Sequence, residues 1–314
     1  MAATTPSLPA SKPARRSRVL GTLAARRRTE GWLMVSPTIL IFLALSIFPL
    51  LYSLMVSFQR RDLMRKNLDE WVGFANYSRA LHEDRIWAAL QNTLILVVGG
   101  IAIEFLLGLG LALVLVDELR GKRFILPILM LPVMMIPVIV ALIWRMLWDN
   151  QYGAVNQILS TFAGHDVNII WLAKKNTAMI AILITQVWQW TPFMFLILLA
   201  GLAGINAELY EAAALDGASW WNSFKDITLP GLTNVIAVAL LFRALDALKI
   251  FDLIFMLTQG QPGTSTETVS WYIYDRGRRS LEMGYASAVS YLFLIFITIV
   301  ATVYVGRVLK GREL

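Results

Sequence analysis

Thr177–Ala203 reads TAMIAILITQVWQWTPFMFLILLAGLA, and no charged residue occurs from Asn176 to Ala207. A helix needs about 20 mostly apolar residues to cross the hydrocarbon core of a bilayer, so this stretch is long enough to span. Outward from it, five more stretches behave alike: Leu33–Phe58, Trp87–Val116, Phe124–Trp148, Leu229–Leu257 and Gly284–Val308. Lipid offers the backbone no hydrogen-bond partner, so each span must be helical or part of a closed barrel. Barrel strands are short and alternate in polarity; these runs are long and do not. The sequence therefore predicts an all-α integral membrane protein with six transmembrane helices. The first span is too long for a signal-peptide core and has no convincing small-residue cleavage site, so it reads as retained.

Composition agrees. Of the 314 residues, 57% are hydrophobic and 16% charged, against about 45–50% and roughly 25% in soluble domains. An ordinary soluble enzyme is excluded, and so is disorder for most of the chain. With no cysteine there is no disulfide framework, thiolate metal site or Cys nucleophile. The net charge of +7 is concentrated in the N-terminal segment, which holds Lys12, Arg15, Arg16, Arg18, Arg26, Arg27 and Arg28. Residues 1–30 read as a disordered basic tail that sets topology, and no aromatic interleaving points to nucleic acid. This tail places both termini in the cytoplasm. Residues 31–86 then hold the first span and an external segment, residues 87–308 the remaining spans with an internal connection at 204–228, and residues 309–314 a cytoplasmic tail. Asn76-Tyr77-Ser78 matches a glycosylation sequon and reads as chance.

The internal connection is the most patterned part of the chain. From Ile205 to Leu232 it reads INAELYEAAALDGASWWNSFKDITLPGL. Asn206 is a good N-cap, and Glu208 and Glu211 favour the positive end of the helix that follows. Gly217 stops that helix. Ser219 caps a second one with an apolar face of Trp220, Trp221, Phe224 and Ile227, and Pro230 sits at the start of the fifth span. The alanine-rich face of the first helix lets another backbone approach closely, while Glu211 and Asp216 offer carboxylates to a basic partner. Pattern alone is equally consistent with a plain helical connector.

The run Glu211-Ala212-Ala213, then Gly217, then Ile227, Leu229 and Pro230, resembles the EAA loop of permease subunits from bacterial ABC importers. The string from Glu208 to Ala218 resembles the carbohydrate-uptake branch, of the maltose and glycerol-phosphate permease type. Leu257-Thr258-Gln259-Gly260-Gln261-Pro262-Gly263 is similar to the family's turn after span five, with Gln261 where a glycine is usual. Gly284-Tyr285-Ala286-Ser287-Ala288 is similar to its start of span six, and Trp71 to Tyr77 to its segment before span two. The resemblance implies a type I importer bundle across 87–308 and a coupling helix made by Glu211, Ala212, Ala213, Asp216 and Gly217. It also implies a second permease in a heterodimer, two ATPase subunits that bind ATP and Mg, and a periplasmic or extracellular solute-binding protein. The cargo would be a sugar-like small molecule, and the location the bacterial plasma (inner) membrane. The chain has no G-x-x-x-x-G-K-[ST] loop of its own, so nucleotide binding by that motif requires a partner. No cofactor or metal site is expected in this chain, and transport rather than catalysis is its expected role.

Polar residues within spans are functional candidates by default. Arg243, Asp246, Lys249 and Asp252 recur every third residue, a spacing at which Arg243–Asp246 and Lys249–Asp252 can pair on one helix. They read either as the lining of a polar route or as an ion-pair network. Gln186, Gln189 and Trp190 share a face of the fourth span. Amides beside an aromatic ring suit a sugar, and equally suit interhelical bonding. Gly100, Glu104, Gly108 and Ala112 form a stripe of close packing on span two, with Glu104 aimed at Arg243 or Lys249. Pro127, Pro132 and Pro137 can bend span three. A stand-alone ion-coupled transporter, using Glu104, Asp246 and Asp252, is the alternative to the importer reading.

Overall fold

The computed structural model describes residues 34–64, 70–116 and 121–309. The 1–30 tail and residues 310–314 of the C-terminal tail lie outside the described residues. The chain divides into two compact units, residues 1–55 and 56–314. The first contributes most of helix α1 (Met34–Ser57). From Met34 to Met55 no side chain of it is buried, and Leu40, Ile41, Phe42, Leu45 and Phe48 are exposed, as suits contact with lipid.

In the second unit two short strands, β1 (Gln59–Arg60) and β2 (Glu70–Trp71), pair antiparallel and lead to α2 (Ala75–His82). The long helices follow: α3 (Asp84–Leu115), α4 (Lys122–Met134), α5 (Pro137–Leu147), then, after the short α6 (Ala154–Ala163), α7 (Lys175–Ala203). Next come α8 (Ala207–Leu215), α9 (Trp220–Ala247), the short α10 (Asp252–Leu257) and α11 (Val269–Tyr274), and finally α12 (Met283–Arg307). Among the described residues, five helices are long and apolar enough to cross a membrane, and six spans result if α4 and α5 count as one. Apart from the strand pair, the predicted all-α architecture is the one observed.

The structure departs from the sequence reading at two spans. Phe124–Trp148 is not one rod, because α4 and α5 meet at 96°. Pro137 lacks the N–H that would continue the ladder and forces Ile136 into an extended conformation (ψ 131°), and Met135 is extended too. The Met135 carbonyl freed by the break accepts from Gln189 Nε2 at 3.3 Å. The fifth span differs at both ends. Its second "connector" helix is continuous with the span, so α9 runs unbroken from Trp220 to Ala247 with a π-turn at Phe224–Thr228. Pro230 therefore lies inside the rod, directly after the π-turn, where it has no N–H to give to the helical ladder. At the other end the helix stops at Ala247, and Thr268 Oγ1 donates to the Ile250 carbonyl at 3.1 Å within the break. Lys249 lies within that break and Asp252 begins the next helix, so helical i,i+3 spacing no longer brings them together.

The packing core is the crossing of α3 on α7. Gly100, Glu104, Gly108 and Ala112 are all buried, and the missing side chain at Gly100 leaves room for the Gln186 amide. Towards the 204–219 end, Leu109, Ala112 and Leu115 pack with Phe195, Leu198, Leu202 and Leu232. At the opposite end Ala80, Val97, Tyr272, Tyr285 and Phe293 form a second cluster. Large apolar residues on the outer faces of the spans, such as Leu106, Phe242 and Ile299, remain exposed, which a bilayer permits.

That opposite end is stapled by charge. Arg85 donates to Glu267 and to Asp275 (2.8 Å to each from Nε and Nη2), and Glu83 accepts from Arg276 and the Tyr285 hydroxyl. Asn76 of the sequon is buried and donates to the Ser57 and Gln59 carbonyls at 2.9 Å, so its amide belongs to the fold. Burial alone would raise the Glu83 carboxyl. Hydrogen bonding with Tyr285 and Tyr272 and the charges of Arg276 and Arg79 outweigh that and hold it below its ordinary value of 4.5. A group lowered in this way stabilises the fold above its unfolded value and loses that contribution as pH falls through the folded one. Thermal stability in detergent should therefore decline below pH 4.5, and Glu83→Gln should flatten that part of the curve. An unchanged acid slope in the variant would refute the assignment.

Candidate functional site

The seven polar residues singled out in the spans converge on one cavity of about 210 Å³. α7 contributes Gln186, Gln189 and Trp190. The end of α9 contributes Arg243 and Asp246, and the break beyond it contributes Lys249 and Asp252, with Pro137 and Phe251 completing the wall. The chain reaches this arrangement because α9 ends beside α7 and Pro137 of the α4–α5 elbow. A larger cavity, about 660 Å³, occupies the elbow itself but is walled by residues such as Leu107, Ile128, Leu183 and Phe195 and has no convergent polar groups.

Arg243 organises the polar site. It is 2% exposed and donates through Nε and Nη2 to the fully buried Glu104 carboxylate at 2.7 and 2.9 Å. Its Nη1 reaches Asp246 Oδ2 at 3.1 Å, and its guanidinium lies 4.6 Å from the centre of the Trp190 ring. Burying such a pair is tolerable only when its donors are satisfied, and here each nitrogen has a carboxylate. Gln186 Nε2 adds a long contact to Glu104 at 3.4 Å. The side-chain carbonyl oxygens of Gln186 and Gln189 are buried with no partner among the described residues. No ion pair forms between Lys249 and Asp252. Of the two predicted pairs, the structure contains only Arg243–Asp246.

The second predicted set lies on α8 at the far end of α9. Asn206 caps α8 by accepting from the Glu208 N–H at 3.1 Å. At its C-terminus Gly217 takes φ +75°, with Ala218 N–H on the Ala213 carbonyl at 2.9 Å and Gly217 N–H on the Ala214 carbonyl at 3.1 Å, the pairing of a glycine-stopped helix. Ser219 accepts from the Asn222 N–H and starts α9. Glu211, Ala212, Asp216 and Gly217 are exposed and Ala213 is half-buried. Nothing on α8 is buried, and Leu215 is 91% exposed. One contact, not foreseen from sequence, ties α8 to the rod: the Tyr210 hydroxyl meets Thr228 Oγ1 at 2.9 Å.

The comparisons with known proteins fit this geometry. Residues 104–310 match the family described as binding-protein-dependent transport system inner membrane component. The chain belongs to this family. The permease is 37% identical over 287 residues to the trehalose/maltose transport system permease protein MalF of Thermococcus litoralis, covering 91% of this chain and 96% of that protein. It is 34% identical to the trehalose transport system permease protein SugA of Mycobacterium tuberculosis, covering 93% of this chain and 94% of SugA. Among solved structures it is similar to a bacterial alginate ABC transporter crystallised with an alginate pentasaccharide-bound periplasmic protein. That match has a TM-score of 0.77 at 25% identity and covers 89% of this chain and 93% of the other. The permease is thus a multi-pass inner-membrane component of the carbohydrate ABC importer family.

Proposed function

We propose that this permease is one of two membrane-spanning subunits of an ATP-driven importer, and that it moves a sugar or sugar-like solute inward. The second permease makes a heterodimer, two ATPase subunits bind ATP and Mg, and an external binding protein delivers the solute. Glu211, Ala212, Ala213, Asp216 and Gly217 couple it to the ATPases, and the cavity at Gln186, Gln189, Trp190, Arg243, Asp246, Lys249 and Asp252 lies on the solute route. Both termini face the cytoplasm in this reading, as the arginine-rich tail favours.

The observation that carries the proposal is a continuous mechanical path. α8 is a helix with exposed apolar and acidic side chains, Leu209, Leu215 and Glu211 among them, tied through Tyr210–Thr228 to the base of a 28-residue rod. At 1.5 Å per residue that rod is roughly 40 Å long, and its far end carries Arg243 and Asp246 into the cavity. A displacement of α8 by a partner is delivered to the cavity wall. Trehalose and maltose in the names of the relatives, and the saccharide-loaded periplasmic protein on the alginate transporter, support the cargo class and the delivery partner.

Proline cannot adopt the positive φ of Gly217. Because nothing is buried on α8, Gly217→Pro should disturb the coupling turn and leave the bundle folded. In the assembled importer, solute-stimulated ATP hydrolysis and uptake should both fall by about tenfold or more, with complex yield retained. Unchanged uptake would remove α8 from the coupling path.

A further inference from the structure

We infer that the charges around the cavity make it selective for uncharged polyhydroxylated solutes over anionic ones, with Asp246 and Asp252 as the specificity-determining residues. The inference rests on the proposal that the cavity lies on the solute route and adds the class of solute it accepts. Arg243 is the obvious anion receptor by type, yet it is unavailable. Glu104 occupies Nε and Nη2, Asp246 takes Nη1, and the Trp190 ring lies against the guanidinium. Lys249 is then the one cation without a carboxylate partner among the described residues lining the cavity.

Against it stand Asp252, which has no partner among the described residues, and Asp246. The Asp246 side chain is 49% exposed and uses only Oδ2 on Arg243. With Glu104 behind them, three carboxylates face two cations, a net charge of −1. The orphan carbonyl oxygens of Gln186 and Gln189 add acceptors, and both amide groups are already donating, to Glu104 or Leu96 and to Met135. The site is therefore rich in acceptors, and the Lys249 ammonium is the charged donor left to face them. Sugar hydroxyls donate to such groups, and the Trp190 and Phe251 rings supply faces for C–H contacts. A uronate or phosphate would place a second negative charge beside the carboxylates with little water between them.

The test compares two ligands that differ only at one carbon: methyl glucoside and methyl glucuronide, which has a carboxylate in place of the hydroxymethyl group. Binding to the full-length permease in nanodiscs is read by saturation-transfer NMR titration. The glucoside should bind about tenfold more tightly. Asp252→Asn, which breaks no ion pair seen in the structure, should narrow the preference, and Asp246→Asn with it should narrow it further, while Lys249→Met should widen it. Equal or tighter binding of the glucuronide, or a ratio unmoved by Asp252→Asn, overturns the selectivity and leaves the cavity as a solute site. Absence of signal from both ligands on a chain that circular dichroism shows to be folded overturns the cavity as a binding site in this subunit. Neither outcome touches the coupling role of α8, which the Gly217→Pro experiment tests separately.

Discussion

Replacing Glu104 with leucine is expected to lower the unfolding free energy of the permease by about 3–5 kcal/mol, because it strands a buried guanidinium. Arg243 would keep Asp246 but lose both bonds to Glu104 at 2.7 and 2.9 Å, at a position where it is only 2% exposed. The double variant Glu104→Leu with Arg243→Leu should recover most of the loss, since two apolar side chains need no partners and fit an apolar helix crossing. Denaturation in detergent followed by tryptophan fluorescence gives both values. A single variant as stable as the parent, or a double variant worse than the single one, would show that the pair is not what holds α9 to α3. The cost should be nearly independent of salt, because ions do not reach a fully buried pair.

Gly108→Leu is expected to destabilise by about 3 kcal/mol through a different mechanism. A Cβ at this position would stand 2.8 Å from the Met194 Cβ and 2.9 Å from the Phe195 backbone nitrogen. No rotamer relieves a clash with main chain, so α3 and α7 must part and the cluster of Leu109, Phe195 and Leu198 opens with them. Gly110→Leu on the same helix meets nothing within 4 Å and should be tolerated. If the two variants melted alike, close α3–α7 packing would not be the cause.

What the sequence disclosed follows from the kind of signal each feature leaves. Charge-free runs and the Asn206 and Gly217 caps are local, and the structure contains them as expected. The stripe from Gly100 to Ala112 was legible because only small residues and one acid recur on that face, and Glu104 does meet Arg243. Gln186, Gln189, Trp190 and the charged ladder were legible as polar residues in apolar surroundings, but their convergence on one cavity was not, since it depends on how two separate helices pack. The break after Ala247 was not, since no proline or glycine marks it and its carbonyls are satisfied by distant groups such as Thr268. The sharpness of the α4–α5 elbow was hidden for the same reason. Three prolines announce a bend, but not its 96° angle, and the donor that satisfies the freed Met135 carbonyl, Gln189, comes from across the bundle. Tyr210–Thr228 is likewise a tertiary contact between two elements whose spacing in sequence says nothing about their meeting.

On the proposed mechanism this permease moves solute only when partner ATPases drive α8. Reconstituting it into proteoliposomes with its second permease and binding protein, with and without the ATPase pair, tests this directly. Accumulation that requires both the ATPases and ATP, and is indifferent to an imposed proton or sodium gradient, is the predicted result. Uptake by the permease without ATPases, driven by an ion gradient and lost in Asp252→Asn, would contradict it.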